Sequence, residues 1–177
     1  EEVDARLCDA AEPVAERLAE SGWLPGPGYS RVLRGLTEEK LTFQGRLGRG
    51  LWHGTPVEEA LPVEFQEFDD RVETPEGAYL RVVDPEHPLM RGIPWEACPP
   101  LLGYNRAKLK PGAKLLATIS RAGRAEEDPL IAVWDYGSGR SMAFASDITP
   151  HWGTNFIGWD YYKPFWVRAI KWLAGEL

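Results

Sequence analysis

Three strand-like segments in the second half of this chain limit the folds that it can adopt. Residues 114–119, 130–136 and 141–146 carry mostly apolar side chains and predict three β-strands. The sequence Gly-Ser-Gly at 137–139 separates the last two, and so short a connection predicts a tight antiparallel hairpin. The middle segment, LIAVWDY, is almost continuously apolar, so we expect it to be buried on both faces of a sheet.

Helical patterns flank this strand region. After it, Asp160 is placed to cap a terminal helix, and Gly175 lies just past the expected end. One face of that helix would carry Tyr162, Phe165, Trp166, Ala169, Ile170 and Leu173. Before the strands, residues 55–58 read Thr-Pro-Val-Glu, the spacing of a capping box with proline at the first helical position. This pattern predicts a short helix in which Glu58 reaches back to the cap.

The chain between the short helix and the three strands has weaker signals. Segments at 63–65 and 79–83 alternate in the manner of strands and flank an acidic turn at 69–71. Residues 84–105 are rich in proline and predict a long connection. In a compact domain a connection of this length should be tightly packed or functional.

Residues 1–40 differ in character from the rest. An apolar stripe at helical spacing runs through Val3, Leu7, Ala11, Val14 and Leu18. Pro13 interrupts it and predicts a kink or two short helices. Residues 22–36 contain many glycines and prolines without a sustained period and predict irregular structure. We therefore divide the chain into a helical and irregular segment, 1–40, and a main domain, 41–177, which starts with a short strand at 41–44.

Composition excludes several classes of protein. The chain has 20 Lys+Arg against 27 Asp+Glu and a net charge of −7, so it lacks the basic surface that a nucleic acid requires. No run approaches the roughly 18 apolar residues that cross a bilayer, so no membrane partner is expected. Cys8 and Cys98 have no CxxC spacing, which is typical of a reducing compartment. We expect a soluble cytoplasmic protein.

Several short motifs, in this order, carry a family resemblance. They are Phe43-Gln44-Gly45, Trp52 to Glu58 (WHGTPVE), Asp69-Asp70-Arg71, Asp84 to Pro88 (DPEHP), Leu101 to Asn105 (LLGYN) and Ser146 to Trp152 (SDITPHW). Together they resemble a bacterial glutamine amidotransferase-like family of the class I glutamine amidotransferase-like superfamily, over about residues 41–175. More distantly the chain is similar to trehalose-utilisation-type proteins. The resemblance implies an α/β fold, a flavodoxin-like three-layer sandwich with a C-terminal β-hairpin and closing helix.

The resemblance also implies that the N-terminal half of the domain is missing. Family members carry several strands and helices ahead of the Phe-Gln-Gly run, whereas only about forty residues precede it here. Where the family would have an apolar strand and a glycine-rich turn, this chain has the prolines and arginines of 22–40. Our hypothesis is a truncated gene or a local change of reading frame, which resequencing the gene would test.

The family's chemistry would require a Cys-His-Glu triad, in which a carboxylate two residues after the histidine orients the imidazole. His151 corresponds best to the histidine, but Gly153 occupies the place of the carboxylate. Neither Cys8 nor Cys98 lies in a Gly-x-Cys-x-Gly turn. Cys98 is either a nucleophile working with His151 or a buried, incidental thiol. The sequence thus contains no recognisable triad and leaves open whether the protein is an enzyme.

The segment 146–152 is the strongest candidate site. It follows a buried strand, and in open α/β sheets ligands bind beyond the carboxyl ends of the strands. We expect Asp147 and His151 to share a crevice there with the Tyr104-Asn105 turn. Asp147 should either accept N–H bonds within its own loop or orient the His151 ring. The alternative is a structural cap in which Trp152 covers the core.

The predicted ligand is a small polar molecule, with a carbohydrate as one possibility because Trp152 and Trp159 could stack on a sugar ring. His53 is a further candidate ligand-binding residue. His53, His87 and His151 could join Asp69, Asp70 or Asp147 around a metal, but no pair has the spacing of a helical metal site. If these histidines have purely structural roles, His87 is a turn residue and the ring of His53 packs against the start of the helix. No metal or cofactor is predicted.

Two other functions compete with ligand binding. One is an active amidotransferase or hydrolase acting through Cys98 and His151. The other is a structural or oligomerisation module. If upstream strands are absent, the 41–44 strand would leave an exposed sheet edge that pairs with another chain, so we expect a homo-oligomer.

Overall fold

The computed structural model describes residues 53–66 and 70–177, and a curled antiparallel sheet dominates it. Its strands, in chain order, are β1 (Val63–Phe65), β2 (Arg71–Val82), β3 (Leu101–Asn105), β4 (Ala107–Leu109), β5 (Lys114–Arg121), β6 (Asp128–Tyr136) and β7 (Gly139–Phe144). Five of them form one sheet in the order β3-β2-β5-β6-β7, and β1 pairs separately with β4. Every pairing is antiparallel.

Within residues 53–66 and 70–177, three α-helices and a 3₁₀ helix accompany the strands. They are α1 (Pro56–Ala60), the 3₁₀ helix (Trp95–Ala97), α2 (Thr154–Ile157) and α3 (Tyr162–Leu173). None of the helices in the described part of the chain is long and apolar enough to cross a membrane.

The core lies on both faces of β6. Ile131 and Val133 belong to the main cluster, which also contains Phe156 of α2 and Phe165 of α3. Ala132, between them, faces the other way and packs with residues of β1 and β4. Because alternate strand residues point to opposite faces, the sheet is covered on both sides. The prediction that this strand is buried on both faces is confirmed.

The C-terminal hairpin is also confirmed. Tyr136 pairs with Gly139, so Gly137 and Ser138 form a two-residue turn. Gly137 has a φ of +60°, a left-handed conformation that glycine adopts without steric cost. The last strand starts and ends two residues before the predicted 141–146, while β5 and β6 each include the predicted range and extend beyond it.

The long connection predicted at 84–105 ends earlier than expected. Its last five residues form β3, so Tyr104 and Asn105 lie in a strand and not in a turn. The remainder is tightly packed, which is one of the two expected alternatives, with Leu89, Met90 and Trp95 buried. The predicted strand at 79–83 is the end of the longer β2, which begins at Arg71, inside the expected acidic turn.

The terminal helix forms with differences at its start and on its face. Tyr161 is the N-cap, without a side-chain bond, so the prediction that Asp160 caps the helix is wrong. Phe165 and Ala169 are buried as expected, but Ile170 is 65% exposed. Gly175, with a φ of +77°, follows the helix end, and the N–H groups of residues 175 and 176 donate to the carbonyls of residues 172 and 171, the pattern of a Schellman motif.

The chain after β7 connects two edges of the sheet. Ala145 donates its N–H to the Leu130 carbonyl of β6 (2.9 Å) and accepts from the Asn105 N–H of β3 (2.7 Å). The Ser146 hydroxyl donates to the Gly103 carbonyl (2.7 Å), and the Leu102 N–H donates to the Trp152 carbonyl (2.9 Å). These bonds curl the sheet and fix the position of the candidate segment 146–152.

The α/β class holds, but the parallel sheet of a flavodoxin-like sandwich is not found among residues 53–66 and 70–177. The rule that places ligands beyond the carboxyl ends of parallel strands therefore does not locate a site in this antiparallel sheet. The predictions for residues 1–40 and for a strand at 41–44 lie outside the described residues.

Candidate ligand site after strand β7

The candidate site centres on a contact between Asp147 and His151. Oδ2 of Asp147 lies 2.6 Å from Nδ1 of His151 and also accepts the Trp152 N–H at 3.2 Å. Both predicted roles of Asp147, accepting a loop N–H and orienting the ring, therefore occur together. A carboxylate only accepts hydrogen bonds, so Nδ1 is the donor in this pair, and Nε2 is the acceptor of the neutral imidazole.

The His151 ring is held and yet accessible. Its side chain is 65% exposed, against 32% for Asp147, and it stacks on Trp152 with ring centroids 5.2 Å apart. No residue in the described ranges makes a hydrogen bond to Nε2. The site therefore presents an oriented imidazole nitrogen to solvent.

Hydrogen bonds fix the loop around His151. Its N–H donates to the Thr149 carbonyl at 2.8 Å, and its carbonyl accepts from the Thr154 hydroxyl at 2.9 Å. The Tyr162 hydroxyl of α3 donates to the Ile148 carbonyl at 3.0 Å. Strand β7 before the loop and helix α2 after it anchor the two ends, so His151 projects from a rigid turn.

Trp152 covers the core instead of facing a ligand. It is 5% exposed, and its indole lies against Gly103 of β3, where an added Cβ would come within 2.4 Å of the ring. Its Nε1–H donates to Glu73 Oε2 at 2.9 Å. Trp159 packs on Trp95, with ring centroids 5.5 Å apart. Because Trp152 is buried, the expectation that it stacks on a sugar ring is wrong.

Tyr104 is likewise removed from the site. It is 1% exposed, and its hydroxyl donates to Asp128 Oδ2 at 2.8 Å. Burial, together with the bond to Asp128, raises the pKa of Tyr104 to about 12. Asn105 is half-buried and meets the start of the candidate segment through its backbone bond to Ala145. Tyr104 therefore does not line a crevice with Asp147 and His151, and this part of the prediction is wrong.

His53 belongs to a separate cluster at helix α1. Its Nδ1 lies 3.4 Å from Glu58 Oε1 and 3.1 Å from the Phe65 carbonyl. No described contact joins His53 to the 146–152 loop. The structure thus supports the interpretation of His53 as a ring at the helix start, and does not unite it with His151.

Glu58 holds this cluster together. The Thr55 hydroxyl accepts the Glu58 N–H at 3.4 Å, as the capping box predicts, but the Glu58 carboxylate binds the N–H groups of Gly54 (2.6 Å) and Phe65 (2.5 Å) and not that of the cap. Burial alone would raise the pKa of Glu58, but these donors and His53 outweigh it and hold the pKa below its ordinary value.

His87 is a buried turn residue. It is 8% exposed, its Nδ1 accepts the Leu89 N–H at 3.3 Å, and its ring lies 5.4 Å from that of Trp172. Burial, with a contribution from Lys114, lowers its pKa. Within the described ranges, no group of three or more His, Cys, Asp and Glu side chains could hold a metal ion.

Comparison with known proteins identifies the family. Residues 35–175 match the family described as "Putative glutamine amidotransferase". The chain belongs to this family. Two cytoplasmic proteins of Salmonella typhimurium, STM3548 and STM1381, the second from strain LT2, are each 36% identical, with TM-scores of 0.65 and 0.63. Each match covers 75% of this chain and 51% of the other, so the chain spans about half the length of these relatives. No curated protein matches it.

Within this glutamine amidotransferase-like family member, Gly153 explains why no carboxylate follows His151. A Cβ at Gly153 would lie 2.4 Å from the Asp147 carbonyl oxygen and 3.0 Å from that of Thr149. Any side chain there would force the turn to open. The carboxylate that touches the imidazole comes instead from Asp147, four residues before His151.

Cys98 lacks the surroundings of a nucleophile. It follows the 3₁₀ helix, is half-buried, and its thiol donates weakly to the Pro99 carbonyl at 3.6 Å. Burial raises the pKa of Cys98 to about 12, whereas the thiolate is the reactive form. No hydrogen bond or ion pair in the described part of the chain connects it to His151. This environment favours the interpretation of Cys98 as an incidental thiol.

Proposed function

We propose that the Asp147–His151 pair recognises a small polar ligand in this glutamine amidotransferase-like protein. The observation that carries the proposal is an imidazole held at 2.6 Å by a carboxylate while 65% of its side chain stays exposed. Holding the ring in one orientation costs side-chain conformational entropy. An exposed residue with a purely structural role would gain little stability in return. Nε2 offers an acceptor to a hydroxyl or amide N–H, and a donor to an anion when the ring is protonated.

Residues of the loop have two different roles, one structural and one in binding the proposed ligand. Trp152 and Gly153 are buried and close the turn against β3, as expected of a structural cap. His151 is on the outside of the same turn. The ligand would therefore bind against His151, with Asp147 as its positioning residue. The half-buried Asn105, whose N–H donates to the Ala145 carbonyl just before the loop, is a further candidate contact.

A second candidate function is hydrolysis or amide transfer with His151 as general base. The 2.6 Å contact with Asp147 favours it, because a carboxylate that holds Nδ1–H stabilises the imidazolium formed when Nε2 takes up a proton. Cys98 is a poor nucleophile for this reaction because its pKa is raised to about 12. The nucleophile would come from outside the described residues or from a bound water.

We also propose that the protein has the flavodoxin-like sandwich of its superfamily and works in the cytoplasm. The support for the fold is the family match over residues 35–175, and the support for the location is that both Salmonella relatives are called cytoplasmic proteins. We propose in addition that the chain forms a homo-oligomer, while a structural or oligomerisation module remains the competing function. Sedimentation of the full chain at micromolar concentration would measure its oligomeric state.

The test of ligand binding is thermal unfolding of the full chain with amino acids, amides, sugars and small carboxylates. A ligand at ten times its Kd stabilises by about 1.4 kcal/mol, which raises Tm by roughly 3–6 °C in a domain of this size. His151→Ala should abolish that shift while leaving the unliganded Tm nearly unchanged. Tyr79→Ala, which removes another exposed ring, should keep the shift.

Asp147→Ala separates the two roles of the loop. It should lower the unliganded Tm, because the Trp152 N–H and the His151 ring both lose their acceptor, at a cost of about 1–3 kcal/mol. If His151→Ala lowers Tm as much as Asp147→Ala, and no compound shifts the wild type, the loop is only a cap. Ammonia release from glutamine that vanishes in His151→Ala would favour the catalytic candidate.

A further inference from the structure

Helix α3 has a second apolar face, opposite the one that packs on the sheet. Val167 is 46% exposed, Ile170 65% and Leu173 38%. They follow one another at intervals of three residues, so they lie along one side of the helix. Phe165, on the other side, is fully buried in the core. We call Val167, Ile170 and Leu173 the outer face of α3.

Positive charge borders this outer face. Lys163 and Lys171 lie four residues before and after Val167, and both are exposed, so each is a neighbour of Val167 on the helix surface. Arg168 is occupied on another side, where its guanidinium donates to the Arg91 carbonyl. Helix α3 contains no acidic residue. The outer face therefore suits an apolar surface that carries negative charge.

A second copy of α3 is a poor occupant. Packing two outer faces about a two-fold axis would bring the lysines of one copy toward those of the other, and like charges at close range are destabilising. The chain itself offers a better match. Residues 1–20 contain seven acidic and two basic residues, arranged around the apolar stripe described above.

We propose that residues 1–20 dock on the outer face of α3. The apolar stripe would cover Val167, Ile170 and Leu173, and the carboxylates beside it would approach Lys163 and Lys171. Both sets are spaced so that apolar side chains share one side of a helix, so the stripe and the outer face can each present an apolar surface to the other. The docking site would give the N-terminal segment a defined place on the domain.

Cys8 makes the proposal testable in the full chain, because it adjoins Leu7 of the stripe. In a Cys98→Ser background, Ile170→Cys and Val167→Cys are made separately and oxidised mildly. At one or both positions we expect an intramolecular disulfide between Cys8 and the introduced thiol, identified by mass spectrometry of the monomer. Tyr79→Cys, at a side chain that is 50% exposed on β2, is the matched control and should give none.

Charge provides a second measurement. The double substitution Lys163→Glu and Lys171→Glu should slow the formation of the cross-link several-fold. High salt should have the same effect on the cross-linking variants that keep both lysines, because salt screens exposed charges. A cross-linking rate insensitive to both would overturn the electrostatic part of the proposal. Disulfides between the introduced thiols of two chains would show that α3 faces another copy. The absence of a Cys8 cross-link at both positions would also reject the docking.

Discussion

Replacing Gly103 by alanine should destabilise the protein, because the Trp152 indole occupies the space of the missing side chain. An added Cβ would lie 2.4 Å from atoms of the indole ring. Gly103 has no left-handed φ, so the backbone itself would accept alanine without strain. Any loss of stability would therefore report the contact with Trp152.

The size of the effect depends on how far the indole moves. Overpacking that is relieved by small shifts costs about 1–3 kcal/mol. Complete ejection would expose about 200 Å² of buried ring, worth about 5 kcal/mol at ~25 cal/mol per Å², and would also break the bond to Glu73. Alanine returns about 0.4–1 kcal/mol by restricting the unfolded chain. We expect a net loss of about 1–3 kcal/mol, with about 5 as the ceiling.

Urea unfolding followed by far-ultraviolet circular dichroism measures this loss. The control is Gly139→Ala, whose Cβ would meet only the Tyr136 carbonyl oxygen at 3.8 Å; it should not destabilise the protein, and restriction of the unfolded chain should stabilise it by about 0.4–1 kcal/mol. In a Trp152→Leu background the cost of Gly103→Ala should shrink, because the shared contact couples the two sites. If Gly103→Ala behaves like Gly139→Ala in the wild type, the indole does not lie on β3 as described.

Three further predictions concern other parts of the molecule. Because burial lowers the pKa of His87, the unfolded state takes up a proton near pH 6.5 before the folded state does; stability should fall as the pH drops below about 6.5, and His87→Phe should flatten that dependence in urea unfolding at pH 7, 6 and 5. The Cys98 thiol, with its pKa raised to about 12, should react slowly with iodoacetamide at pH 7; rapid labelling in peptide mass spectrometry would contradict this. Gly153→Ala should cost about 1–3 kcal/mol, because its Cβ would lie 2.4 Å from the Asp147 carbonyl oxygen; an unchanged unfolding midpoint would show that the turn yields.

The strands that sequence predicts best are those whose signals are local. Strands β5, β6 and β7 are consecutive in the chain and in the sheet, and a two-residue glycine-containing turn joins the last two. Apolar runs and turn residues suffice for such neighbours. The contact between Asp147 and His151 was predictable for the same reason, since both lie in one short loop.

Strand β3 was missed because distant residues stabilise it. Prolines precede it and Gly103 interrupts it, which argues against a strand on local grounds. The glycine is needed because Trp152 packs on it, and Ser146 binds its carbonyl. The burial of Tyr104 depends on the same missing strand. No local pattern reveals these contacts.

The terminal helix shows a different limit of sequence analysis. The sequence pattern predicts one apolar stripe, whereas the structure divides these residues between a buried face with Phe165 and an exposed face with Ile170. Helical periodicity identifies apolar faces, but it does not say which of two faces meets the sheet. That choice depends on the shape of the sheet surface.

The bonds that tie Ala145, Ser146 and Trp152 to β3 have a consequence for synthesis of the protein. Strand β3 leaves the ribosome well before the segment that binds it, so its free N–H and C=O groups stay unprotected in the nascent chain. Unpaired strand edges recruit other strands, and incomplete chains are prone to aggregate. Translation that stops before residue 152 should therefore yield an insoluble product, because the segment that pairs with the edge of β3 is synthesised late.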